Sequence, residues 1–330
     1  MVSFFPTPYQ DELLYSVIAR YHIRSGNRSF RQTDIDLFNY HSQQAAKVIL
    51  SNNLDYLVKN FPVGSKQTRE NLIQNHTLYP FYVTFLTAPE AWIVKDLMIK
   101  KLNNSLFQAA KIARTDTEDS RKFFRFCPLC LEEDAQTYGE AYWHRIHQTP
   151  GVLVCPIHGT ALQDSLVSLE TIGIHYDAAS PENCPLGSNS TTYLDETLQK
   201  LLMFAKEIEW LVNHCYFPFK GMAWLRKQYQ FYLAEQGFLK TYSRSKLTFD
   251  SQKFVSATAE FYGNDFLGQI NPVLVEKSEA YFANCLLACD INPFIDRVTH
   301  LLLITFLAGS IKLFFAQKDE AIALLNHFSV

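Results

Sequence analysis

Apolar side chains recur at Leu13, Leu14, Val17, Ile18 and Tyr21, the spacing of one buried helical face, and Gly26 follows as a stop. An amphipathic helix over residues 11–25 is predicted. Similar patterns predict helices over 42–50, 53–61, 68–76 and 89–102, the last with Pro89 in its first turn. Near Arg114 the pattern gives way to RTDTEDSRK, a polar stretch suited to a boundary or an exposed loop. Two short apolar pieces follow, Phe124-Arg125-Phe126 and Val152 to Val154. Each runs into a Cys-Pro and reads as a strand feeding a tight turn. The Ser-, Asn-, Pro- and Gly-rich run HYDAASPENCPLGSNST reads as a loop. Helices return over 198–214, 222–235 with Gly237 as stop, 252–262 with Gly263 as stop, and 296–316.

With 330 residues the chain exceeds one typical domain. It is 48% hydrophobic and 19% charged, enough apolar surface to offset the entropy of ordering, so it folds. A net charge of -3 removes the argument from a strongly basic chain, and any basic surface must be local. The stretch Leu301 to Phe315 is broken by Gly309-Ser310 and Lys312 and is too short to span a bilayer. The opening MVSFFPTPYQDELL carries no export leader, so the expectation is a cytoplasmic protein without a membrane partner. In that reducing compartment seven cysteines, an odd number, do not suggest a disulfide framework.

The strongest chemical signal is a pair of knuckles, Cys127-Pro-Leu-Cys130 and Cys155-Pro-Ile-His158. Each sets two ligands two residues apart, so two turns complete a tetrahedron around one Zn2+ ion. Four protein ligands leave no open position, which makes the ion structural. A rival set is Cys127, Cys130, His144 and His147, but its histidines are closer than usual and it leaves the second knuckle without purpose. That histidine pair is expected on a helix with Trp143. A deaminase site would need His-x-Glu, which is missing here. Cys184-Pro185 has no partner two residues on, and Cys285 with Cys289 reads as core. The expected architecture is mainly α. A helical N-terminal domain (1–115) precedes a small zinc-knuckle or ribbon insert with short strands (116–170), a loop or linker (171–195), and a helical C-terminal domain, helix-turn-helix or winged-helix-like (196–330).

The run from Phe126, with Asp134, Gly139-Glu140, Tyr142-Trp143, Arg145, Gly151-Val152, VCPIH and Leu162, resembles the TnsD/TniQ family of transposon target-selection proteins. Pro6, Pro8, Tyr9, Glu12-Leu13, Tyr15-Ser16 and Ala19-Arg20 are similar to that family's opening, and Asn75 to Pro80 to a later segment. The resemblance covers about the first 165 residues and is weaker beyond, where Phe261-Tyr262-Gly263 and the stretch from His300 to Ser310 are less specific. It implies a non-enzymatic adaptor that recognises an attachment site on double-stranded DNA, recruits the transposon's AAA+ ATPase and, through it, the transposase. In a bacterial cell it would lie on the nucleoid when bound to DNA. The family's metal set maps onto Cys127, Cys130, Cys155 and His158, and Trp143 and Arg145 fall on recurrent structural positions. The alternative is an adaptor of TniQ type, which joins a guide-RNA targeting complex to the ATPase without reading DNA. Family members often extend further, so a chain ending at Val330 is expected to be a short or truncated one.

For DNA contact the sequence offers a basic stretch, 216–253, with Arg226, Lys227, Lys240, Arg244 and Lys246, and a smaller group beside the first knuckle, Arg121, Lys122 and Arg125. Solvated faces compete with DNA contact for both, and Arg20 and Arg24 read as a solvated face. Leu301, Leu302, Phe306 and Leu313 read as a core stripe, with His300 as a capping or packing residue. No phosphate-binding loop, nucleophile elbow or His-Glu-x-x-His is present.

Overall fold

The computed structural model describes residues 1–39, 50–100, 105–112, 121–169, 175–187, 192–214, 219–243, 246–291 and 294–316, and of residues 240–243 and 246–247 the backbone only. The fold is mainly helical. Helix α1 (Leu14–Ser25) ends at Gly26, whose φ of 69° gives the left-handed turn that glycine adopts without strain. Helix α2 (Phe30–Phe38) starts where Ser29 accepts the Gln32 N–H. Next come α3 (Leu54–Lys59), α4 (Arg69–His76) capped by Thr68, α5 (Tyr79–Tyr82), α6 (Ala88–Ile99) and α7 (Leu106–Ala109). The helix expected over 42–50 falls largely outside the described residues.

Strand β1 (Phe123–Phe126) leads into α8 (Pro128–Tyr138). Its antiparallel partner is β2 (Gln163–Ser168), and the strand expected over 152–154 does not form. Val152 and Val154 are fully buried, but only Val154 makes an isolated bridge, to Ala161. Burial on all sides, not strand pairing, explains their apolar character. The helix expected around Trp143 is a single 3-10 turn, Ile146–Gln148, because Leu13 donates its N–H to the Trp143 carbonyl and Arg145 its N–H to the Asp11 carbonyl, which holds the chain extended before the turn.

Beyond residue 192 lie α9 (Asp195–Asn213) and α10 (Met222–Glu235), then an antiparallel hairpin of β3 (Leu239–Ser243) and β4 (Lys246–Phe249). The run of α11 (Ser251–Tyr262), α12 (Asn264–Ile270), α13 (Val273–Glu276), α14 (Ser278–Leu287), α15 (Arg297–Ala308) and α16 (Ile311–Ala316) completes the chain. Gly309 splits the expected 296–316 helix in two. Leu301 and Leu302 are core as expected, whereas Leu313, beyond the break, is 56% exposed. No described helix is long and apolar enough to cross a membrane.

One hydrophobic cluster runs from Leu13 to Phe314. Gly151 shows how closely its parts meet. A Cβ there would lie 3.1 Å from Ile208 and Val298 and 3.2 Å from Phe204, at a φ of 81°. Arg297, fully buried, donates to the carbonyls of Tyr82, Ala110 and Ile295, tying α15 to the segments around α5 and α7. His300 is buried beside Tyr229, whose hydroxyl lies 2.9 Å from its Nδ1.

Candidate metal centre

Cys127 caps α8, Pro128 supplies its first residue, and Cys130 follows in the first turn, so β1 and α8 fix the first knuckle from both sides. The second knuckle is a tight loop in which Cys155 donates its N–H to the Thr160 carbonyl (2.8 Å) and Gly159 returns one to the Cys155 carbonyl (2.8 Å). His158 Nδ1 lies 3.5 Å from Cys127 Sγ, 3.3 Å from Cys130 Sγ and 3.7 Å from Cys155 Sγ. Cys130 Sγ and Cys155 Sγ are 3.7 Å apart. All four donor atoms lie within 4.8 Å of one another. A tetrahedron with zinc-like bond lengths has edges of about 3.8 Å between sulfurs and about 3.6 Å from sulfur to nitrogen. A sulfur pair at 3.7 Å is far outside disulfide length. The Cys3His cluster fits a four-coordinate metal and could hold one.

Three further side chains face these donors. The Thr160 hydroxyl is 3.2 Å from Cys127 Sγ, Glu133 Oε1 is 3.1 Å from His158 Nε2, and His147 Nε2 is 3.9 Å from Cys130 Sγ. Hydrogen bonds from the Cys130 and Cys155 thiols, and then from Thr160, lower the pKa of Cys127 below that of a free thiol. Burial pulls the His158 imidazole downward, but its bonds to Glu133 and Cys127 outweigh this and raise its pKa. His147, fully enclosed, is pushed well below the usual histidine range by burial and then by His144. Three of the four residues of the rival ligand set, Cys130, His144 and His147, also gather their donor atoms, with His144 bound to Asp134 at 2.8 Å. Spacing could not reveal the roles of Glu133 and Thr160, because each reaches the opposite knuckle through space.

The residues carrying the family pattern join α1 to this segment. Trp143 donates its N–H to Ser16 Oγ (3.1 Å) and its indole N–H to the Asp177 carbonyl (2.8 Å). The Arg145 guanidinium spans Asp11, the Gln74 carbonyl and Asn213. Both side chains are buried. Arg20, expected on a solvated face, is instead 3% exposed, pairs with Glu12 and Glu140 at 2.7 Å each, and lies over the Tyr9 ring. Arg24, half-exposed, shares Glu140. A cleft of about 670 Å³ borders this joint, lined among others by Tyr9, Asp11, Asp134, Tyr138, His144 and Glu209.

The basic candidates separate. Arg125 is 6% exposed, bonded to Gln148 and the Thr149 carbonyl, so it belongs to the interior and not to a basic surface. Arg121 is half-buried with Gln148 in reach, and Lys122 is exposed. Arg226 pairs with Asp290 at 3.1 Å, and Lys227 is exposed on α10. Lys240 and Lys246 lie in β3 and β4, and Arg244 lies outside the described residues. Cys184 is buried with its thiol 3.4 Å from Asn183 Oδ1, and burial pushes that thiol up to about 12, while Cys285 and Cys289 pack into the core.

The TniQ family model matches residues 3–162, a span that contains all four metal-ligand candidates. The chain is 28% identical over 155 residues to the transposon Tn7 transposition protein TnsD of Escherichia coli, a match that takes in 47% of this chain and 30% of the relative. Over residues 3–162 the chain thus carries a TniQ domain, and over 155 residues it is similar in sequence to TnsD.

Proposed function

We propose that the chain is a zinc-containing target selector for DNA transposition, which binds attachment-site DNA, recruits an AAA+ ATPase and through it the transposase, and performs no chemistry itself. The observation that carries this reading is the TniQ match enclosing a buried three-thiol, one-imidazole cluster. That soft donor set suits zinc. Four protein donors fill a tetrahedral sphere, so the ion would hold the two knuckles together rather than activate water. Among the basic candidates whose side chains are described, Lys122 and Lys227 are exposed and suited to phosphate contact. Purified chain should contain one zinc ion, retard attachment-site DNA and retain the cognate ATPase in a pull-down, and Cys127→Ser should weaken all three. Zinc-free protein that binds neither partner would overturn the proposal.

The second reading, an adaptor that meets its target only through a guide-RNA complex, draws on two of the basic candidates being engaged within the protein. Arg125 is interior, Arg226 is paired, and the chain carries a net charge of -3. ATPase capture without salt-dependent DNA binding would favour it.

A further inference from the structure

We propose that Glu133 and Thr160 are positioning residues that cross-brace the two knuckles from outside the ligand set, each reaching from its own knuckle to a ligand of the other. This rests on the metal reading above. Glu133 stands one turn after Cys130 on α8, and its carboxylate meets His158 Nε2 at 3.1 Å. Thr160 follows the second knuckle by two residues. Its carbonyl accepts the Cys155 N–H at 2.8 Å while its hydroxyl reaches Cys127 Sγ at 3.2 Å. One residue therefore grips both knuckles.

The directions of these bonds follow from the chemistry of a filled site. A metal-bound Cys127 is a thiolate and can only accept, so the Thr160 hydroxyl donates. Three thiolates and one imidazole leave a divalent ion with a surplus negative charge, and an O–H···S bond spreads it. Glu133 accepts from Nε2–H, which leaves Nδ1, the atom facing all three sulfurs, free to ligate. His147 stands toward Cys130 as a third and longer donor at 3.9 Å, a bond that requires its Nε2 to carry the proton. The same histidine belongs to the group with His144 and Cys130, so its role is open to a direct test.

The test uses the full chain with zinc, in competition with a chromophoric chelator, and with cobalt as a spectroscopic probe. Thr160→Val should lower zinc affinity about 10-fold or more, the range found for outer-sphere partners. It should also move the sulfur-to-cobalt charge-transfer band to lower energy, because the Cys127 sulfur becomes the stronger electron donor. Thr160→Ser should restore both. Glu133→Ala should weaken affinity without moving the sulfur band, and since Glu133 is 64% exposed this variant tests the brace even if Thr160→Val fails to fold. Affinity within twofold of wild type in both Thr160→Val and Glu133→Ala, with an unmoved band, would overturn the proposal. Wild-type protein that binds neither metal would instead overturn the metal reading itself. One ion per chain is expected, and a second ion lost on His144→Ala would make His147 a ligand instead of a donor.

Discussion

Arg20 carries the heaviest electrostatic duty at the joint between α1 and the knuckle segment. Glu12 is wholly buried, and burial raises its pKa to about 7 against the pull of Arg20, so the carboxylate depends on that guanidinium to remain ionised. Arg20→Leu should cost about 3–5 kcal/mol, the range for orphaning one member of a buried pair. Arg20→Leu with Glu12→Gln should recover part of that loss in urea titrations. His300 sets a pH dependence of opposite origin. Burial pushes its pKa down to about 4, while the unfolded chain titrates it near the ordinary 6.5. Between those values the unfolded state takes up a proton that the folded state refuses, so stability falls as pH drops from 6.5 toward 4. The contribution is on the order of 3 kcal/mol. Unfolding free energies measured at pH 7 and pH 4.5 should differ less in His300→Gln than in wild type. At this scale the Cys3His cluster that could hold a metal was legible because a knuckle is a local pattern. Arg20 was not, since nothing in an amphipathic repeat says that Glu140 lies against it.

Elements with local stop signals were the readable ones. Gly26, Thr68, Pro89, Gly237 and Gly263 all stand at or within a residue or two of the observed helix ends, because caps and breakers act over three or four residues. Strand β2 escaped notice because its inward residues are Ser165 and Val167 while Leu166 faces out, 63% exposed, which inverts the usual alternation. The β3–β4 hairpin was hidden by its polar composition, although Phe249 at its end packs against Phe254 of α11. The clearest element-scale constraint is the approach of α9 and α15 to Gly151. Gly151→Ala must both adopt a positive φ and displace three core side chains. It should destabilise by roughly 1–3 kcal/mol, readable as a lower Tm with an unchanged far-UV spectrum.

For the whole molecule, the division read from the sequence into helical, knuckle and helical parts describes order along the chain, and not separate cores. Leu13, Cys155 and Phe314 belong to one buried cluster, a long-range fact that no periodicity records. Metal removal should therefore reach beyond the knuckles. Ion binding is worth about 10–16 kcal/mol in isolated zinc-finger peptides, so chelation should lower the midpoint of a single unfolding transition seen alike by tryptophan fluorescence and far-UV circular dichroism. Two separate transitions, only one of them sensitive to chelator, would contradict a shared core. The contact at Gly151 also bears on recombining this chain with its relatives. Residues 3–162 match the family as a unit, yet their inner surface at Gly151 is moulded to Phe204, Ile208 and Val298. A chimera cut at residue 162 would face a foreign helix across a gap too narrow for one methyl group. Exchanges that carry α9 and α15 along with the first 162 residues should yield more soluble protein than those that respect the sequence boundary alone.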